Sequence, residues 1–339
     1  VSVVEPYVDS FLQNILSSSD IKILPLAGDA STRKYYRIVH EDQSWVLMKW
    51  DPFNPEGYPF LSVLKHFAKN GVHVPKVVGM SSQEGLVLLE DLGDLTLERR
   101  FWENQNQDNV IFFYKMALDE IVKIHGRSTQ DRNDCTAFKI QFDVEKLLWE
   151  MNYGKDNLLL GVLKADLSPP IQDDLQKIFL DLCERLHDEP KVICHRDYHS
   201  RNLMIKLDKM YVIDFQDARL GPVQYDLVSL FKDSYVDLED GTVAQLMDYY
   251  LEQSASDLPV DFSREHFDHV YELQSLQRCF KACGSFASFF HQRGDRRYLK
   301  YLTPTLKRVF KCLNQFPQYK LFSDILIDSG ALEKNYETL

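Results

Sequence analysis

An α+β chain of two lobes, a small antiparallel β lobe followed by a larger and mainly helical one, is predicted by three features of the sequence. Strand-like runs rich in β-branched and aromatic residues are concentrated within residues 1–94. Helical periodicity dominates residues 95–339. Among the helices, residues 192–217 read VICHRDYHSRNLMIKLDKMYVIDFQD and set His195, Asp197, Asn202 and Asp214 around two short apolar runs.

Residues 3–17 fit a short amphipathic helix. Strands follow at 21–28 (IKILPLAG), 34–40 (KYYRIVH) and 44–50 (SWVLMKW), separated by turns. PFLSVLKHFAK (59–69) is a helix stopped by Asn70–Gly71. KVVGMSS and LVLLEDLG add two strands about a turn near Gly85, and Gly93 marks the passage into the helical region. There, residues 109–126 are long and apolar enough for a core helix. The next helix, SPPIQDDLQKIFLDLCERLH, opens with Ser168 as cap and Pro169 in the first turn. Its Leu175, Ile178, Phe179, Leu182 and Leu186 share a face. After the 192–217 block comes YDLVSLFKDSY, with Asp226 as its cap, then helices near 239–255, 263–291 (interrupted at Gly284) and 303–316, opened by Thr303–Pro304. No repeat or long linker divides the chain into independent modules.

The composition is that of a globular protein, 45% hydrophobic and 27% charged. With 39 basic against 51 acidic side chains, the net charge of -12 argues against nonspecific binding to nucleic acid or anionic membranes. No segment reaches the length of a membrane span, and the first residues, VSVVEPYVDSF, carry acids rather than a basic leader. The six cysteines form no CxxC pair; Cys279 and Cys283, one turn apart, lack a His or Asp ligand set. Buried free thiols in a soluble cytosolic protein are expected.

The spacing within 192–217 resembles the catalytic loop and metal-binding strand of kinases. Asp197 is then the group that orients an acceptor hydroxyl and takes its proton. Asn202, five residues on, and Asp214, which opens DFQD, offer the oxygen ligands that Mg²⁺ prefers. His195 reads as a hydrogen-bonding strut. Lys49, at the end of the third strand, is a candidate for the nucleotide phosphates, with Glu56 as its possible partner despite Pro52 and Pro55. AGDASTRKYY (27–36) is a turn over the phosphates, where Gly28 permits an unusual backbone angle and Ser31 and Thr32 donate hydrogen bonds. It matches neither GxGxxG nor GxxxxGK[ST]. Backbone groups near Glu90 and Leu92 are placed to meet adenine between the lobes.

HRDYHSRNLM followed by VIDFQDARLGPVQYDLVSL resembles the aminoglycoside phosphotransferase superfamily of small-molecule kinases. The likeness is closest to the anomeric N-acetylmuramate/N-acetylglucosamine kinases of bacterial cell-wall recycling. AGDASTRKYYR, GVHVPKV, GLVLLEDLGD and LQRCFKACGSFASFF extend it over most of the chain. The resemblance implies a bilobal, protein-kinase-like fold, with residues 1–94 as nucleotide-binding lobe and 95–339 as catalytic and substrate-binding lobe. It implies catalysis by Asp197, metal binding by Asn202 and Asp214, and phosphate binding by Lys49 and by Gly28, Asp29, Ala30 and Ser31. The third strand, MKWDPFNPEG, is where the chain departs from the sugar-kinase group, which leaves Lys49 and Glu56 open.

The implied reaction is transfer of the ATP γ-phosphate, with Mg²⁺, to an anomeric hydroxyl, giving a sugar 1-phosphate. The sugar pocket is expected beside Asp197, with Arg201, Gln216, Asp217, Arg219 and Arg278 as candidate contacts, Arg278 for a lactyl carboxylate. An aminoglycoside, a choline-like alcohol and a hydroxyamino acid remain alternative acceptors. Metal-dependent hydrolysis, widened by His199, gives the first lobe no task. A non-catalytic nucleotide-binding regulator is opposed by the intact Asp197–Asn202–Asp214 set. No APE sequence or activation segment follows DFQD, which opposes a protein kinase.

Overall fold

The computed structural model describes residues 4–26, 33–104, 106–258 and 263–339. Helix α1 (Pro6–Leu16) precedes an antiparallel sheet of β1 (Lys22–Leu26), β2 (Lys34–His40), β3 (Gln43–Lys49), β4 (Val77–Ser81) and β5 (Leu86–Glu90), in the order β1-β2-β3-β5-β4. Alternation along the strands separates two faces. Tyr36, Ile38, Leu47, Leu86 and Leu88 are buried under Val8, Phe11 and Leu12 of α1. Met48, Val87 and Leu89 face the main core, where α2 (Pro59–Lys69) inserts Phe60, Leu64 and Phe67.

The second lobe begins with α3 (Leu97–Glu103), whose first turn is capped by Thr96 Oγ1, 3.0 Å from the Arg99 N–H. α4 (Gln107–Lys123) runs into a π-helical turn, Ile124–Ser128. α5 (Val144–Gly154), capped by Asp143, likewise continues as a π-helical segment, Lys155–Leu163. After α6 (Pro169–Asp188), β6 (Val192–Cys194) leads into the catalytic-loop segment and the hairpin β7 (Leu203–Lys206) and β8 (Lys209–Val212). β9 (Arg219–Gly221) pairs back with β6. α7 (Gln224–Phe231), α8 (Asp240–Ser254), α9 (Arg264–Arg293), α10 (Leu302–Leu313) and α11 (Lys320–Asp328) complete the helical lobe. The fold is thus bilobal and protein-kinase-like, a β lobe upon a larger helical one.

α3, α5 and α11 are not anticipated by the sequence reading, and the reasons are local. α3 spans only two turns, and the apolar stripe of α5 is interrupted by the buried Glu150. The interruption expected at Gly284 does not occur, because α9 is one continuous helix. Gly284 instead lets α5 approach: a Cβ there would stand 2.5 Å from the Gly154 Cα. All six cysteines are buried and free. Among the described residues, no helix is long and apolar enough to cross a membrane.

Candidate active site

The loop after β6 is held by a carboxylate that its own sequence does not contain. Asp226, fully buried in the first turn of α7, accepts from the backbone N–H groups of His195 at 2.6 Å and Arg196 at 2.9 Å. It also lies 3.2 Å from His125 Nε2. The expectation that Asp226 caps its helix is corrected here, since α7 starts at Gln224 and the carboxylate serves the loop. Arg196 is thereby kept at φ 84°, a left-handed conformation that costs roughly 1–2 kcal/mol outside glycine. His195 Nε2–H donates to the Ile213 carbonyl at 2.9 Å, bracing the loop against the segment that carries Asp214. The Tyr198 hydroxyl donates to the Ala117 carbonyl at 2.6 Å, and Asp233 accepts from both the backbone and hydroxyl of Ser200.

So fastened, Asp197 stands in a ring of cations. Arg196 Nε and Arg278 Nη2 each lie 3.8 Å from one of its oxygens. Burial disfavours its charge, but the attraction of Lys281, Arg196 and Arg278, with a smaller one from His199, wins and holds the carboxyl well below the usual range. Asn202 Nδ2 donates to the Asp197 carbonyl at 2.9 Å and lies 3.4 Å from Asp214 Oδ2. Gln216 Nε2 donates to the other Asp214 oxygen at 2.8 Å. Asp214 itself has φ 64°. A carboxylate beside a carboxamide brings together two side chains whose oxygens are the hard donors that Mg²⁺ takes. Asp197, Asn202, Asp214 and Gln216 are therefore brought together.

Above them a cavity of about 860 Å³ opens between the lobes. Tyr35, Val46 and Leu89 form its roof, Leu92 lies at the connection, and Met204 and Ile213 form its floor. Such apolar walls fit a flat base. Glu90 and Leu92 both line the cavity, but the Glu90 side chain has another task. Lys206 Nζ donates at 2.8 Å to Glu90 Oε1 and at 2.8 Å to the Asp91 carbonyl, linking β7 to the connection. On the opposite side Arg37 pairs with Asp91 at 2.7 Å and with Asp94 at 2.9 Å. Gly28, Asp29, Ala30 and Ser31 lie outside the described residues.

Strand parity places Lys49 elsewhere. Val46 faces the cavity and Leu47 faces α1, so Lys49 emerges with Leu47 on the α1 side. Its ammonium pairs with Glu5, not Glu56, and lies 5.4 Å from the Tyr7 ring centroid. The structure thus does not bring Lys49 to the cleft, and the expected phosphate contact is corrected. Arg33 and Arg37 share the cleft-facing parity of Tyr35, and the Arg33 guanidinium lies 5.4 Å from the Trp50 ring centroid.

Beneath Asp197 a smaller recess of about 130 Å³ is lined by Ser229, Lys232, Arg278, Lys281 and Ser285. It joins the cleft through His199, Tyr235, Ser285 and Phe286, which line both. The remaining candidates divide. Asp217 pairs with Arg196 at 2.9 Å, and Arg219 Nε donates to the Asp217 carbonyl at 3.1 Å. Neither lines the recess or the cleft, and Arg219 borders a separate hollow with Phe138 and Lys146. Arg201 is forked onto Glu98 by two 2.9 Å bonds and stacked 3.6 Å from the Tyr235 ring centroid, which makes it a wall of the cleft. Lys281 escapes the sequence reading; its only signal there is the single turn that separates it from Arg278.

Comparison with known proteins agrees with this geometry. Residues 22–260 match the family described as the phosphotransferase enzyme family. An N-acetylmuramate/N-acetylglucosamine kinase of Neisseria meningitidis serogroup B is 30% identical over 94% of this chain and 95% of its own. A kinase of the same description from Pseudomonas aeruginosa is 31% identical over 82% of this chain and 80% of its own. An ADP-bound aminoglycoside phosphotransferase superposes with a TM-score of 0.59 at 14% identity, covering 91% of this chain and 97% of its own, a likeness of fold. The family match and the interlobe cleft agree, and the chain belongs to the phosphotransferase enzyme family, the aminoglycoside phosphotransferase superfamily of kinases acting on small hydroxyl-bearing substrates.

Proposed function

We propose that the protein uses ATP and Mg²⁺ to phosphorylate the anomeric hydroxyl of N-acetylmuramate, N-acetylglucosamine or both, giving a sugar 1-phosphate. The observation that carries this choice of acceptor is the charge around Asp197. Arg196, Arg278 and Lys281 surround it. An aminoglycoside or a choline-like alcohol would bring a further cation to that wall, at a cost of about 4 kcal/mol per like-charge contact near 4 Å in a partly screened site. The names carried by the Neisseria and Pseudomonas relatives support an amino sugar. Use of ATP and a set of buried free thiols fit a cytoplasmic setting.

The sugar hydroxyl would lie against Asp197, at the junction of recess and cleft. Its oxygen forms the new bond to the γ-phosphorus, the bond to the β–γ bridging oxygen breaks, and the hydroxyl proton passes to Asp197. A strongly acidic carboxyl suits this task if the proton moves late, so that Asp197 mainly orients the hydroxyl. Asn202 and Asp214 would hold Mg²⁺, which supplies positive charge against the triphosphate. Backbone groups by Leu92 would meet adenine, and residues 28–31 would cover the phosphates. The test is ATP-dependent phosphorylation of the two sugars, read by phosphorus NMR. An anomeric phosphate is the expected product; folded, ATP-binding protein that phosphorylates neither sugar would reject the reading.

A further inference from the structure

We propose that Lys281, assisted by Arg278, forms a carboxylate subsite in the acceptor recess, so that the acid-bearing N-acetylmuramate is preferred to the neutral N-acetylglucosamine. The inference rests on the amino-sugar reading and deepens it. Arg278 and Lys281 stand one turn apart on α9 and line the same recess as Asp197. The other cations near Asp197 are already engaged. Arg196 Nη1 pairs with Asp217 at 2.9 Å, Arg219 donates to the Asp217 carbonyl, and Lys146 Nζ lies 3.8 Å from Glu150. Arg278 Nε donates to Ser229 Oγ, which leaves its remaining N–H groups directed at the Asp197 side.

Lys281 differs from them. Among the described residues its ammonium has no hydrogen bond and no ion pair within 4 Å, and burial, opposed by the longer-range fields of Glu150 and Asp197, holds its pKa below the ordinary lysine value. Glu150 accepts from Gln277 Nε2 at 3.0 Å through Oε2, while its Oε1 lies 3.8 Å from Lys146 Nζ and makes no bond to Lys281, and Asp197 is needed by the reacting hydroxyl. Three ammonium donors in a half-buried recess call for an acceptor that the protein does not supply. Lys146, Arg196, Arg219, Arg278 and Lys281 face Glu150, Asp197 and Asp217, so positive charge is in excess here, although the whole chain carries -12. One substrate carboxylate offsets part of that excess. In N-acetylmuramate the lactyl ether puts such a group on the same ring as the anomeric hydroxyl; N-acetylglucosamine has the ring without it.

The experiment compares steady-state kinetics with both sugars for the native protein, Lys281→Gln and Lys281→Arg, each checked for cooperative melting. In Lys281→Gln the KM for N-acetylmuramate should rise tenfold or more, about the weight of a lost charge-assisted hydrogen bond. The KM for N-acetylglucosamine should rise much less, because that contact is absent from it; any loss of kcat through the field of Lys281 on Asp197 is shared by both sugars. Lys281→Arg should recover most of the loss. KM values that move together for both sugars, or not at all, overturn the subsite. So does an equal fall in kcat with both sugars at unchanged KM, which would assign Lys281 to Asp197 alone. Should Lys281→Gln fail to fold, (R)-lactate inhibition of the native protein reads the same subsite. Competition against N-acetylmuramate supports it, and no competition overturns it. A native protein that phosphorylates neither sugar sinks the amino-sugar reading by itself. Calorimetric binding of N-acetylmuramate and (R)-lactate to native protein and Lys281→Gln then decides the subsite separately, upheld by Lys281-dependent binding and overturned by its absence.

Discussion

Asp197 and Asp226 are both carboxylates of the catalytic region, yet their surroundings assign them different work. Asp197 is accessible to the recess and ringed by cations; Asp226 is sealed and spends its oxygens on backbone N–H groups. Asp197→Asn should keep the melting temperature and MgATP affinity while lowering kcat by on the order of 10²–10⁴-fold; single-turnover assays and nucleotide titration separate the two effects. Asp214→Ala should instead weaken MgATP binding and flatten the dependence of rate on Mg²⁺ concentration. Because the Asp197 carboxyl lies well below its usual range, it stays ionised from pH 5 upward, so no acid limb of kcat/KM above pH 5 should belong to it. Lys49→Met should leave the KM for ATP within about twofold, since the pair it breaks joins β3 to Glu5, just ahead of α1, on the face away from the cleft. The proximity of Asp197, Asn202 and Asp214 was legible because the first two share a short loop and the tight hairpin β7–β8 returns the chain to it at Asp214. Lys49 was misleading for a related reason. A strand reverses its side-chain direction at every residue, and the sequence alone did not show which face α1 would cover.

The wall of the recess beside Asp197 is a property of a helix rather than of a motif. Along α9, Arg278, Lys281, Ser285 and Phe289 recur at three- and four-residue intervals and, with Phe286 next to Ser285, run from the recess to the cleft. Reading LQRCFKACGSFASFF as a helix was straightforward; knowing which of its faces borders Asp197 required the packing of α5 and α7 against it. Gly284 shows the same gap between pattern and packing. Its lack of a side chain suggested an interruption, whereas its function is close approach to Gly154. Gly284→Ala gains helix propensity but inserts a methyl group where no space exists. A net destabilisation of about 1–3 kcal/mol is expected, as for other overpacked cores, with denaturant melts as the check. A stabilised variant would contradict the contact.

Between the lobes, two sets of charges flank the connection, Lys206 with Glu90 on one side and Arg37 with Asp91 and Asp94 on the other. Burial disfavours the charged forms of Glu90 and Asp91, but Lys206 in the first case, and the Gly93 N–H and Arg37 in the second, hold both below the usual range. Their folded values are thus lower than the unfolded ones. The stability they contribute is complete above the unfolded carboxylate range near pH 4 and is lost as pH falls through the lower folded values. The melting-temperature gap between native protein and Asp91→Asn should therefore be constant from pH 8 to 5 and narrow in more acidic solution. Two lobes could be read from the change in periodicity near residue 95, but these pairs could not, since they join residues far apart in the chain. One consequence reaches beyond this reaction. The loop that carries Asp197 is hung from α7 through Asp226, while the wall of the recess beside it is carried by α9. Changes along α9 can retune which molecule enters without loosening the suspension of the loop, a division of labour that lets one scaffold diversify its substrates while inheriting its chemistry intact.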